Sequence, residues 1–172
     1  MWWPKWFQAV LLWGLLLFLP GCGYQFPARS AADLPQGISR LHLESIQDTS
    51  GEPGLQSRLR ALFTEEIELR TGAEWTDREQ SQGLVVLDIQ EYRVATSLEN
   101  AAERTVKSEA RIRISARILD RQSGEQLWES GTVTGRESFT GQGGEGPVKN
   151  QAEREALERA VEGLVQQLGH RF

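Results

Sequence analysis

Between Thr105 and Leu119 the sequence alternates with period two. Val106, Ala110, Ile112, Ile114, Ala116 and Ile118 fall on even positions, and Lys107, Glu109, Arg111, Arg113, Ser115 and Arg117 on odd ones. Successive side chains of a strand point to opposite faces, so the pattern demands a half-buried strand, apolar on one face and polar on the other. A helix over the same residues would spread both sets around its circumference. One such strand cannot bury its apolar face alone. It requires neighbouring strands and a second layer packed on one side.

The rest of the chain supplies them. Leu41 and Leu43 give Ile38–Ile46 the period of a short strand. Gln47–Gly54 is a turn segment, and Pro53 is placed to open a helix. Leu55, Leu59, Leu62, Phe63 and Ile67 recur at helical spacing, with Gly72 as the stop. In Leu84–Val94, a strongly apolar strand, Val85, Leu87 and Ile89 are out of phase with Tyr92 and Val94. A bulge near Gln90–Glu91 would bring all five to one face; partial cover on both faces is the alternative. The polar loop Ala95–Arg104 and the hairpin Asp120–Gly124 bracket the alternating strand. Gln126–Phe139 reads as a weaker strand carrying Leu127, Trp128, Val133 and Phe139, and Gly141–Pro147, with four glycines, as a mobile loop. Asn150 and Glu153 have capping-box spacing. Leu157, Ala160, Val161, Leu164, Val165 and Leu168 then form a helical stripe, with Glu153 expected on its polar side.

The order β-α-β-β-β-α predicts an α+β two-layer sandwich: a mixed four-stranded sheet with both helices on one face. Strand, helix, strand suits a parallel pair with a right-handed crossover. The second sheet face is left to solvent or to a partner.

The N-terminus follows another rule. Met1–Gly21 holds 15 hydrophobic residues, one lysine and no acid. Lys5, the apolar run Trp6–Phe18 and the small residues that follow read as a secretory signal, too short and interrupted for a membrane span. Cys22, the chain's single cysteine, stands directly after it. Leu19-Pro20-Gly21-Cys22 resembles a bacterial lipobox, whose cysteine receives a diacylglyceryl group and becomes the first residue of the mature chain. Each buried methylene contributes about 0.8 kcal/mol, and more than one acyl chain holds a protein firmly to a leaflet. The expected division is residues 1–21 as signal, 22–37 as acylated N-terminus and tether, and 38–172 as one domain.

Charge and residue usage narrow the function. The net charge is −5, and −6 once Lys5 is removed with the signal, which disfavours nucleic acid as a partner. One cysteine allows no intrachain disulfide, and His42 and His170 form no Cys/His cluster, so neither a metal site nor a cofactor is expected. His42 alternates with Leu41 and Leu43 and is expected to be exposed. Asp88 and Glu91 are close in sequence but are expected on opposite faces, so they make no catalytic pair. Ser97, Ser108 and Ser115 lack a neighbouring histidine or glycine elbow, and Gly141–Gly146 lacks the Gly-Lys-Ser/Thr of a phosphate loop. An enzyme is not expected. Lys107, Arg111, Arg113 and Arg117 share one face of one strand, about 6.6 Å between neighbours. Arginine forks bind phosphate bidentately, so the stripe is a candidate contact for an anionic partner. The plain alternative is neutralisation by cross-strand acids such as Glu91 or Glu129.

The lipobox with Cys22-Gly23-Tyr24, the segment Thr49–Leu55, the strand pattern, Asp120–Trp128 and the closing helix come in an order that resembles the LPS-assembly lipoprotein LptE family over essentially the whole chain. That resemblance implies a two-layer α/β sandwich at the outer membrane. It implies a protein that plugs the LptD β-barrel translocon, helps it assemble and binds lipopolysaccharide, which makes Lys107, Arg111, Arg113 and Arg117 the candidate lipopolysaccharide or barrel-lumen contact. By the same resemblance, Gly23 after the lipidated cysteine, where aspartate would signal inner-membrane retention, favours the outer membrane. The alternative is another lipid-anchored envelope-assembly or binding module that never enters a barrel.

Overall fold

In the computed structural model the described residues are 34–98, 106–140 and 146–168. The expected signal, Cys22, most of the loop Ala95–Arg104 and most of Gly141–Pro147 lie outside them.

The elements are β1 (Arg40–Asp48), α1 (Leu55–Thr71), β2 (Glu74–Trp75), β3 (Gly83–Leu98), β4 (Val106–Asp120), β5 (Gln126–Glu129), β6 (Val133–Thr140) and α2 (Pro147–Leu168). The sheet runs β2-β1-β3-β4-β5, with β6 also paired to β4. β1 is parallel to β2 and β3, and β4 is antiparallel to β3, β5 and β6. The two-layer sandwich is as expected, but the sheet has six strands, not four. Two causes account for the difference. Glu74–Trp75 adds a two-residue edge beside β1. The expected Gln126–Phe139 strand breaks at Ser130–Thr132, where Gly131 takes φ 69° and the Ser130 hydroxyl accepts from the Ala116 amide.

Alternation in β4 does what it demanded. Ala110, Ile112, Ile114, Ala116 and Ile118 are buried on the helix side, opposite Val85, Leu87 and Ile89. The phase break in β3 is a bulge, with the register shifting between Ile89 and Glu91. Gln90 is the extra residue, so Tyr92 and Val94 rejoin the inner face and pack against the core. The same bulge corrects one expectation: Asp88, opposite Ser115, and Glu91, opposite Arg113, share the outer face.

α1 buries Leu55, Leu59, Phe63 and Ile67 at a spacing of four. It starts after Gly54, so Pro53 precedes the cap instead of opening the first turn; it stops at Gly72, φ 68°, whose amide bonds the Glu68 carbonyl. The Trp75 indole donates to the Thr64 carbonyl and stacks edge-on against Phe63, tying α1 to the β2 edge.

α2 begins at Pro147, four residues before the start that an Asn150 cap predicts, with proline in the first turn where its missing N–H is unneeded. Its sheet-facing side is lined by small residues. Ala152, Ala156 and Ala160 are buried, and a Cβ on Gly135 of β6 would stand 1.8 Å from the Ala156 carbonyl oxygen. Glycine at 135 is therefore the condition for helix and strand to touch. Glu153 also departs from expectation: it is 4% exposed. Its carboxylate accepts from the Tyr92 hydroxyl and lies 3.3 Å from Lys149 Nζ and 3.8 Å from Arg58 Nη1. A buried charge persists only when so surrounded. Burial first, and then the bond to Glu153, pushes the Tyr92 phenol well above the usual tyrosine range.

Leu34 and Pro35 are buried, and the turn Pro35–Gly37 leads into β1, so the folded part begins by Leu34.

Candidate functional site

The helices cover one face of the sheet. On the other face the strand register sets out a field of charged side chains. Lys107, Arg111, Arg113 and Arg117 all project there, as the alternation requires, because Ser108, Ala110, Ile112, Ile114, Ala116 and Ile118 between and beside them are buried. Arg113 is 44% exposed and Arg111 38%.

Acids sit among them. Arg111 Nη2 bonds Glu109 Oε1 at 2.7 Å, two residues along the same strand. Arg113 Nη1 reaches Glu91 Oε2 at 3.4 Å across the β3–β4 ladder. Arg117 stands opposite Glu129 in register. Cross-strand neutralisation is thus real for part of the stripe. The Arg113–Glu91 pair is exposed and the Arg111–Glu109 pair partly so, and surface pairs of this kind contribute only about 0–1 kcal/mol, so the guanidiniums can exchange partners.

Two further cations complete the face. Arg93 lies opposite Arg111 on one side, and Arg136 lies opposite Arg111 on the other. The result is a row of three arginines on three adjacent strands. Arg93 and Arg136 are exposed, and their side chains make no hydrogen bond or ion pair to another described residue. Like charges directly opposite one another repel unless an anion bridges them. Sequence reasoning missed both. Arg93 reaches this face only through the Gln90 bulge, and Arg136 only through the restart of pairing at Val133. The phase break in β3 was the one available signal for Arg93.

Lower on the same face the character changes. Leu84, opposite Leu119, and Val86, opposite Arg117, face outward yet are buried among neighbouring side chains. The face is therefore cationic in the half built by the β3–β4 hairpin and mixed nearer β1, where His42, Ser45 and Gln47 stand opposite Leu84, Val86 and Asp88. Exposed guanidiniums so placed can pair with anionic groups.

The other singled-out residues have structural tasks. His42 is half-buried, not exposed, with Nδ1 3.0 Å from the Thr76 carbonyl oxygen. Ser108 is buried beside the Thr96 hydroxyl at 3.2 Å. Ser115 Oγ accepts from the Gln90 amide nitrogen at 3.0 Å. The Asp120–Gly124 hairpin forms as expected, with Gly124 at φ 72°. The Ser123 amide and hydroxyl both bond the Asp120 carboxylate, and with the Gln122 amide they hold it below the usual aspartate range.

Known structures share this architecture. An uncharacterized lipoprotein B from Nitrosomonas europaea, solved in solution, superposes with a TM-score of 0.53 at 16% identity, over 81% of this chain and 86% of that one. A point variant of the PelC dodecamer from Paraburkholderia phytofirmans superposes at 0.52 and 12% identity, over 79% of this chain and 91% of that one. At such identities the likeness is one of fold. No curated protein sequence matches the chain. A family model does: the model described as LptE, lipopolysaccharide-assembly, matches residues 38–172, and the chain belongs to that family.

Proposed function

We propose that this chain is a lipid-anchored outer-membrane protein that serves lipopolysaccharide assembly by plugging an LptD-type β-barrel and helping it assemble. Residues 1–21 are a signal removed on export. Cys22 carries the acyl chains, and the segment after it tethers the domain on the periplasmic side. The open face bearing Lys107, Arg111, Arg113 and Arg117, extended by Arg93 and Arg136, contacts lipopolysaccharide or the barrel lumen. No catalytic step is involved.

The observation that carries this reading is the concentration of cations on the one uncovered face of an acidic domain. The charge of the whole chain is −5, so composition alone would not place a row of three arginines there. Lipid A presents phosphates above acyl chains. The arginine row offers guanidinium forks to such phosphates. Family membership supports the same role.

The test has two arms. The acylated full chain, purified from membranes in detergent, recovers a large β-barrel at equal stoichiometry; a barrel-free preparation overturns the plug role and leaves an anchored module that never enters a barrel. Arg111→Glu with Arg113→Glu weakens lipopolysaccharide binding by at least about tenfold, since one charge-assisted hydrogen bond contributes about 1.5–3 kcal/mol. Unchanged lipopolysaccharide binding and barrel recovery in that variant would remove the basic face from the mechanism.

A further inference from the structure

Among the described residues, the upper part of β3 is paired on one side only. β1 pairs with β3 only as far as Ile89, opposite Asp48. There Thr49 closes the ladder, its amide bonding the Ile89 carbonyl at 3.3 Å and its hydroxyl the same oxygen at 3.1 Å. β3 continues to Leu98, paired from Glu91 onward with β4 alone.

The direction of the unpaired groups follows from the backbone. The Ile89 carbonyl points at Thr49, away from β4. Alternate residues of a strand aim their N–H and C=O at the same edge. The Gln90 bulge absorbs one residue and returns Tyr92 to the face, and hence the edge, of Ile89. Tyr92, Val94 and Thr96 therefore present their backbone groups outward, in the lane β1 has left, where they meet no hydrogen-bond partner among the described residues.

Exposed edges are normally blunted, and the β6 edge and the stretch of β1 beyond β2 are. At β6, Arg159 Nη1 reaches across to the Arg136 carbonyl at 2.6 Å. At β1, the register breaks between Leu43 and Ser45, and Glu44 is held by Arg78 at 2.8 Å. Along Tyr92–Thr96 there is no proline, no lysine and no second bulge.

We propose that this edge takes an extended segment of the barrel partner by backbone pairing, as a further strand beside β3. The inference rests on the barrel reading above and adds the mode of contact. The side chains state what the segment carries. On the inner face the half-buried Tyr92 and Val94 leave apolar surface for apolar residues to cover. On the outer face Arg93 has no ion pair among the described residues and calls for an acid. The occupant alternates apolar and acidic residues, and it lies directly beside the cationic face.

The experiment compares the acylated full chain free and in its barrel complex. Expected is at least about tenfold slower amide exchange at Tyr92, Val94 and Thr96 in the complex. The double variant Val94→Pro, Thr96→Pro removes two outward donors while sparing the β3–β4 ladder, as edge prolines do. Its barrel recovery should fall at least about tenfold with its circular dichroism unchanged. If the double variant misfolds, the exchange measurement on the unaltered chain decides. Recovery of the barrel with unchanged exchange at the three amides overturns the edge proposal and leaves the barrel reading standing. Failure of the unaltered chain to recover a barrel overturns both.

Discussion

Arg113 and Ile114 are neighbours on β4 and belong to different problems. Ile114 is wholly buried between the sheet and the helices. Arg113 stands on the opposite face with a single acid 3.4 Å away. Every inner residue of β4 is held by several others, so a change there is paid in stability. The outer arginines Arg111 and Arg113 are held by exchangeable pairs, so a change there alters what the protein can bind. The two faces of one strand thus separate folding from recognition, and substitutions on each side can break that separation or sharpen it.

The largest effect is expected where the inner face leaves no room. Gly135→Leu drives a side chain into the Ala156 carbonyl, which a Cβ alone would approach to 1.8 Å. Overpacking usually costs about 1–3 kcal/mol and more when backbone must move. A loss of at least about 3 kcal/mol in chemical denaturation is expected, together with rapid amide exchange along α2. A stable Gly135→Leu protein with α2 protected would mean that helix and strand do not meet as described.

Next is truncation of the inner core. Ile114→Ala removes a fully buried side chain facing Ile89 across the ladder. Large-to-small changes of this kind cost about 2–5 kcal/mol. About 3 kcal/mol is expected by denaturant titration, with lipopolysaccharide binding per folded molecule unchanged. A variant that folds normally yet loses binding would show that the two faces are not separate.

How much of this is legible in the sequence differs between the faces for a physical reason. The inner face of β4, the buried stripe of α1 and its stop at Gly72 follow from periodicity, because burial selects apolar residues at fixed spacing. So does the possibility of a bulge, since Leu87 and Tyr92 cannot share a face without one. Glu153 is not legible. A glutamate in a helix reads as solvated until Tyr92, Lys149 and Arg58, from three different elements, are seen to surround it. The break of the last strand depends on Gly131 adopting positive φ, which a glycine permits but does not announce. The candidate site is half legible. Residues on one strand share a face by counting, and the phase break in β3 hints at Arg93, but Arg136 joins them only through a register that no count along the chain provides.

The smallest effect on stability, and the sharpest test of the comparison, lies on the outer face. Arg113→Ala removes a partly exposed pair with Glu91, whose side chains are 44% and 32% accessible. Solvent and salt screen such a pair, so the loss should stay below about 1 kcal/mol and shrink further as ionic strength rises. Arg93→Ala removes a guanidinium with no ion-pair partner among the described residues, and its stability should be unchanged or slightly raised by relief from Arg111 opposite. Melting curves at low and high salt measure both. If either variant destabilises the domain as much as Ile114→Ala does, the outer face is part of the scaffold. If both fold normally and bind lipopolysaccharide less well, with Arg93→Ala the weaker binder despite its unaltered stability, then the cations of this face are present for what they touch outside the molecule.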